Sequence, residues 1–324
     1  MPLLSMIQMQ VKTRGHKTAV IDGQHTLSYN ELNTLIHQLA NGLQSNGITK
    51  GDRVGFFLED CYQEILCYFS CFSIGAVAVP LYEGLRGDDL TALIEQTTPK
   101  VIFTSTRLAP HINNMNKSLL QHIDVYQVDN KSDPHGYASL FMEQTNNEMT
   151  FIDDNSVALI SYTSGSTAQP KGVMHTQKQL IANSKSVIKK FNLSEDTITL
   201  VISLDFNASF SSFLVTTLLC GGTVIISNAI TATERLEEIS KYKITFMFNV
   251  PSSCDALTKA KQENPNVQHQ LQYFIIGGDH YSPELFKQFN KAFGLDLIPG
   301  MGMTETLYQS SMGPTHHDKM GSAG

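Results

Sequence analysis

The chain opens without a long apolar run. Its N-terminal stretch, Met1 to Val11, is only mildly hydrophobic and is followed by Lys12 and Arg14, without the long hydrophobic stretch expected of a signal segment or a membrane span. It also has no strong basic cluster. With 23 Lys and Arg against 30 Asp and Glu, the balance is mildly acidic, and Lys185, Lys189 and Lys190 fall on the polar face of a helical stretch, which argues against nucleic acid as a partner. The five cysteines, Cys61, Cys67, Cys71, Cys220 and Cys254, form no C-x-x-C pair and lie mostly in apolar segments, so reduced, buried thiols are expected rather than a disulfide framework or a zinc site. His316-His317 lacks a partnered Cys or an i, i+4 His, and reads as a solvated loop pair. No internal repeat or low-complexity tract interrupts the chain. These absences predict a soluble cytoplasmic protein, large enough to bury an α/β core as two lobes.

What is present is a loop rich in hydroxyls and glycine. Tyr162-Thr163-Ser164-Gly165-Ser166-Thr167-Ala168-Gln169-Pro170-Lys171-Gly172 lies between an apolar strand candidate, Val157 to Tyr162, and an amphipathic run beginning near Gln177. Gly165 and Gly172 allow tight turns that bring N–H groups close to a ligand. Thr163 to Thr167 offer hydrogen bonds to phosphate oxygens, and Lys171 adds a compact positive charge. The pattern points to a nucleotide polyphosphate. It is not a Walker A loop, because Lys171 is followed by Gly172 and not by Ser or Thr.

Around this loop, short β-branched runs alternate with amphipathic stretches, the pattern of parallel sheets covered by helices. Strand candidates are Arg53 to Leu58, Ala76 to Pro80, Lys100 to Thr104, Val157 to Tyr162, Leu200 to Ser203, Thr223 to Ser227, Ile244 to Phe248 and Tyr273 to Ile276. Leu180, Ile181, Val187, Ile188 and Phe191 recur at helical spacing, and Ser282 is the expected N-cap of a helix opened by Pro283. Ligands of α/β sheets bind beyond the carboxyl ends of strands. Three segments are expected there: Thr163 to Gly172, Gly277 to Asp279, and Gly300 to Glu305 after Leu295 to Pro299.

The loop resembles the signature of the AMP-forming adenylating enzymes, the superfamily of acyl-CoA synthetases, peptide-synthetase adenylation domains and firefly luciferase. Further blocks follow in that family's order: Leu27-Ser28-Tyr29-Asn30-Glu31-Leu32, Gly51-Asp52-Arg53-Val54, Gly75 to Leu81, Leu219 to Val224, Gly277-Gly278-Asp279 and Gly302-Met303-Thr304-Glu305-Thr306. The resemblance implies two lobes of mostly parallel sheet flanked by helices, approximately 50–190 and 12–49 plus 191–310, with the active site between them and the chain crossing near Phe191. It also implies ATP and Mg2+ as cofactors, a small carboxylic acid as substrate, and coenzyme A or an acyl carrier protein as acceptor.

By the same resemblance, Thr163, Ser164, Gly165, Ser166, Thr167 and Lys171 hold the β- and γ-phosphates, Glu305 ligates magnesium, and Thr304 meets the α-phosphate. Gly277 and Gly278 approach one face of adenine, and Gly300, Met301 and Gly302 line the other, with Met301 standing where the family has an aromatic ring. Ala168 replaces a usual Gly. Read without the resemblance, Gly277-Gly278 is a strand-end turn.

Phe206, Asn207 and Phe210 fall in the block that recognises the acid. Asn207 stands where amino-acid-activating relatives carry an Asp, so a neutral acid is expected, unless the neighbouring Asp205 takes that place. Phe206, Phe210, Phe213, Phe246 and Phe248 line an apolar tunnel in one reading and fill the core in the other. The family's module normally continues into a β-barrel and a small lid. The expectation is therefore a truncated N-terminal module, with the ribose-holding Asp and the lid Lys absent from 1–324.

The resulting expectation is an AMP-forming acid–thiol ligase acting on a fatty or aryl acid. The alternatives are an adenylation domain loading an amino or hydroxy acid onto a carrier protein, and a nucleotide- or acyl-binding protein without turnover.

Overall fold

The computed structural model describes residues 2–130, 132–143, 152–163, 170–204 and 209–311. The chain divides into two compact units, Met1–His16 with Tyr29–Ile181, and Lys17–Ser28 with Ala182–Gly324. The strands begin with a hairpin of the second unit, β1 (Thr18–Asp22) and β2 (His25–Ser28). The first unit follows with β3 (Arg53–Phe57), β4 (Val77–Pro80), β5 (Val101–Thr104), β6 (Asp124–Gln127), β7 (Val157–Tyr162) and β8 (Gly172–Thr176). Then β9 (Ile198–Val201), β10 (Thr223–Ile226), β11 (Phe246–Asn249), β12 (Tyr273–Ile276), β13 (Leu297–Met303) and β14 (Leu307–Ser311) complete the second.

In the first unit the strand order is β6-β5-β3-β4-β7-β8, parallel throughout except at the β7–β8 hairpin. Such strands are covered on both faces and need continuous apolar runs. The run Val101-Ile102-Phe103-Thr104 supplies one, buried at every position. Phe57, Val79, Leu81 and Ile102 pack against Leu90, Leu93 and Ile94 of the helix Gly87–Thr97. The helix Tyr29–Ser45 also belongs to this unit, although the sequence reading groups residues 12–49 with the other lobe. Its apolar face, Leu32, Ile36, Leu39 and Leu43, is buried in contact with the helix Tyr62–Ile74, and packing decides the assignment.

The second unit orders its strands β14-β13-β12-β11-β9-β10-β1-β2, with a parallel centre and an antiparallel hairpin at each edge. One core layer joins Met247, Phe274 and Ile276 to Leu236, Ile239, Leu257, Phe286 and Phe289. Ser282 caps the helix Pro283–Phe293 as expected, its side chain accepting from Leu285 N–H. This is an α/β fold of mixed, mostly parallel sheets flanked by helices. All five cysteines are free, with Cys67, Cys71 and Cys254 buried; burial pushes the Cys254 thiol up to about 12. Among the described residues no helix is long and apolar enough to cross a membrane.

Candidate functional site

The hydroxyl-rich loop springs from the β7–β8 hairpin of the first unit. Its base is closed by Thr163 N–H donating to the Lys171 carbonyl at 3.1 Å, and by Lys171 N–H reaching Thr163 Oγ1 at 3.4 Å. Ser164, Gly165, Ser166, Thr167 and Ala168, which carry most of the phosphate-binding expectation, lie outside the described residues. Lys171 is exposed, and its ammonium has no partner among the described residues. From β8 the chain passes directly into the helix Gln177–Phe191. Gln177 fixes that start, its buried amide donating to the Phe72 carbonyl at 2.8 Å and accepting from Leu3 N–H at 2.9 Å.

In the second unit the glycines sit where backbones nearly touch. A Cβ at Gly277, just past β12, would lie 2.4 Å from the Gly300 carbonyl oxygen. One on Gly300 would meet Tyr308 and Ile275 at 2.9 Å, and one on Gly302 would meet the Leu307 carbonyl at 2.4 Å. Gly278 adds a φ of +90°, which L side chains rarely adopt. The Gly-rich segment is therefore a strand and not the loop expected from sequence. Gly300 to Met303 extend β13 by pairing antiparallel with β14, which glycine composition does not announce.

The loop proper is the hairpin tip. Thr306 N–H donates to the Met303 carbonyl at 3.1 Å, and Leu307 follows with φ +58°, the geometry of a β-turn closed by a left-handed residue. Ser310 pairs with Met301 and Tyr308 with Gly302, leaving Gln309 as the extra residue of a bulge. Thr304 and Glu305 occupy the turn, Thr304 half-buried and Glu305 exposed. The Glu305 carboxylate has no partner among the described residues. Met301 and Met303 are 43% and 50% exposed, available to a ligand rather than packed in the core.

Of the residues expected to recognise the acid, Phe206 and Asn207 lie outside the described residues, as does Asp205. Phe210 lies within a π-helix, Ser209–Leu214, and is buried. Phe213 and Phe246 are buried as well, and the Phe213 ring stacks on Phe248 at 5.2 Å and meets Tyr308 edge-on at 6.2 Å. These rings form part of a core layer with Val187, Phe191, Ile275 and Ile298, so for them the packing alternative holds.

Sequence reasoning misses Tyr308, Ser212 and Asn183. The last is an Asn inside a helix, a residue type with low helix propensity there, which is the one signal that marks it. Among the described residues no group of three or more His, Cys, Asp or Glu could hold a metal ion. A lone carboxylate such as Glu305 suits magnesium, a hard cation that keeps oxygen ligands and shares them with substrate phosphates.

The model of one family, described as AMP-binding enzyme, matches residues 7–324. The chain belongs to the AMP-binding enzyme family. A feruloyl-CoA synthase of an Amycolatopsis species is 29% identical over 312 residues, covering 95% of this chain and 61% of that protein. A 3-hydroxybenzoate/4-hydroxybenzoate–CoA ligase of Thauera aromatica is 23% identical, with 91% and 57% covered. The chain thus spans about three fifths of the length of these curated relatives. In fold, it superposes on a long-chain-fatty-acid–CoA ligase of Archaeoglobus fulgidus with a TM-score of 0.89 at 22% identity, covering 100% of this chain and 68% of that one.

Proposed function

We propose that the protein is an AMP-forming acid–thiol ligase. A carboxylate oxygen attacks the α-phosphorus of ATP, the new O–P bond forms as the bond to pyrophosphate breaks, and an acyl-adenylate results. A thiol, coenzyme A in this reading, then attacks the acyl carbon; the C–S bond forms, AMP leaves and the thiol proton goes to solvent. The observation that carries the reading is the Glu305 carboxylate, without a partner among the described residues, at the tip of a hairpin whose β13 arm runs against Gly277, in a chain matched to the family over 7–324.

The residues divide the work. Thr163 and Lys171, with the intervening loop, bind the phosphates, and the Lys171 charge offsets the charge that grows on the leaving pyrophosphate. The Gly277–Gly278 and Gly300–Gly302 segments lie close to the base, which packs on the exposed Met301 side chain, and Thr304 orients the α-phosphate. Glu305 holds magnesium, which when bound neutralises phosphate charge. No protein nucleophile is required, since positioning and electrostatics carry the chemistry. For the acid, the names of these relatives point to an aryl carboxylate, and the neutral Asn207 favours an uncharged acid, aryl or fatty, over an amino acid.

The test is acid-dependent exchange of pyrophosphate into ATP across aryl, fatty and amino acids. Exchange with an aryl or fatty acid is expected. Exchange with amino acids alone moves the reading to an adenylation domain serving a carrier protein. ATP binding without exchange under any acid overturns the ligase assignment in favour of a binding protein.

A further inference from the structure

The site described above leaves one polar device without a role. Asn183, half-buried on the helix Gln177–Phe191, uses both ends of its amide. Its Oδ1 accepts from Ser212 Oγ at 2.8 Å, and its Nδ2 donates to the Tyr308 carbonyl at 2.8 Å. Ser212 lies fully buried in the π-helix that follows the acid-recognition block, and Tyr308 lies on β14, paired with Gly302 beside the Thr304–Glu305 turn. One side chain therefore ties its own helix to two elements, 29 and 125 residues away in sequence. A second tie runs alongside, Ser184 Oγ donating to the Ser211 carbonyl at 3.3 Å, and Lys190 Nζ donates to the Ser311 carbonyl at the far end of β14.

The geometry is selective. The backbone carbonyl of Tyr308 demands a donor and the Ser212 hydroxyl is offered an acceptor, and an amide in this orientation serves both. The π-helix supports the point, because a wide turn costs hydrogen-bond geometry and recurs at functional sites. Asn183 holds one of its hydroxyls, Ser212, in place.

We infer that Asn183 is a positioning residue: it fixes the β14 arm of the Glu305 hairpin against the π-helix Ser209–Leu214, and so sets where the Glu305 carboxylate stands relative to that helix. This rests on the proposed ligase reading for its functional consequence, though not for its structural one. Because the Nδ2 arm reaches the hairpin and the Oδ1 arm reaches the π-helix, the two effects separate by substitution. Asn183→Asp keeps an acceptor for Ser212 but faces the Tyr308 carbonyl with an oxygen. Ser212→Ala removes only the other arm.

The experiment is amide hydrogen exchange across residues 301–311 of the wild type and of Asn183→Ala, Asn183→Asp and Ser212→Ala, paired with pyrophosphate exchange at varied magnesium. Both Asn183 variants should speed hairpin exchange about tenfold, the scale of one lost hydrogen bond next to an exposed turn, whereas Ser212→Ala stays within about twofold of wild type. Asn183→Asp should also raise the magnesium concentration for half-maximal activity several-fold, with the acid KM changed less than about twofold. Unchanged hairpin exchange in both Asn183 variants overturns the inference. If the wild type exchanges no pyrophosphate, the ligase reading falls while the hydrogen-exchange arm still decides the role of Asn183.

Discussion

The carbonyl oxygen of Gly300 stands 2.4 Å from where a Cβ on Gly277 would be, so strands β12 and β13 approach each other there as bare backbone. Two glycines in one segment thus fulfil different demands. Gly277 is required by space, Gly278 by its φ of +90° with only Val250 nearby at 3.5 Å.

Substitution should rank accordingly. Gly277→Ala must push two backbones apart and is expected to cost about 2–4 kcal/mol. Gly278→Ala pays mainly the left-handed conformation, about 1–2 kcal/mol. Urea denaturation of both variants checks the order, and a Gly277→Ala as stable as wild type would refute the close approach.

Lys171 and Glu305 should behave in the opposite way, because both are exposed and neither has a partner among the described residues. Lys171→Ala and Glu305→Gln are expected to leave stability within about 0.5 kcal/mol of wild type. Each should lower pyrophosphate exchange about a hundredfold or more, since in the proposed reaction each would face charge that develops at the phosphates. Wild-type turnover in both variants would remove them from the site.

The sequence shows the chemistry more clearly than the scaffold that aims it. Buried parallel strands such as β5 and β12 are legible because an apolar run leaves little choice of environment. β14 is not, since Leu307-Tyr308-Gln309-Ser310-Ser311 has no strong alternation and owes its state to pairing with the glycines of β13. The same pairing turns Gly300 to Met303 from an expected loop into strand. β8 is hidden in a similar way, by a short sequence whose partner is β7. Lys171 and Glu305 can be singled out by residue type and order, whereas the Asn183, Ser212 and Tyr308 contacts exist only once distant elements meet.

A pH effect should come from His269. Its Nδ1 accepts from Leu271 N–H at 3.2 Å and its Nε2 bonds the Phe293 carbonyl at 2.9 Å, an arrangement that fits the neutral ring with its proton on Nε2. Burial lowers its pKa from 6.5; the Phe293 bond opposes this and the Lys261 charge adds to it. With the folded value depressed, the stabilisation is present above the unfolded value of about 6.5 and is lost as pH falls from there through the folded value. His269→Gln should be less stable than wild type by about 0.5–1.5 kcal/mol at pH 7.5, with the gap narrowing toward pH 5. Denaturation midpoints measured across that range check it, and a gap independent of pH would show that His269 does not titrate in this window.

Met301 offers the sharpest test of where the base sits. It is 43% exposed on β13, one residue beyond the Gly300 that touches Gly277, and the family resemblance puts an aromatic ring at this position. A thioether packs on an adenine with less area and no ring quadrupole, so nucleotide binding should be weaker than the fold permits. Met301→Tyr is expected to tighten ATP binding about two- to twelvefold, the worth of one aromatic pair at about 0.5–1.5 kcal/mol. The exposed position should keep stability within about 0.5 kcal/mol of wild type. Calorimetric titration with ATP, adenosine and inorganic triphosphate separates the causes: a gain shared by ATP and adenosine but absent for triphosphate comes from the base. Equal affinities in the two proteins for all three ligands would mean that adenine does not lie against residue 301, and would detach the Gly300 to Gly302 strand from the nucleotide site.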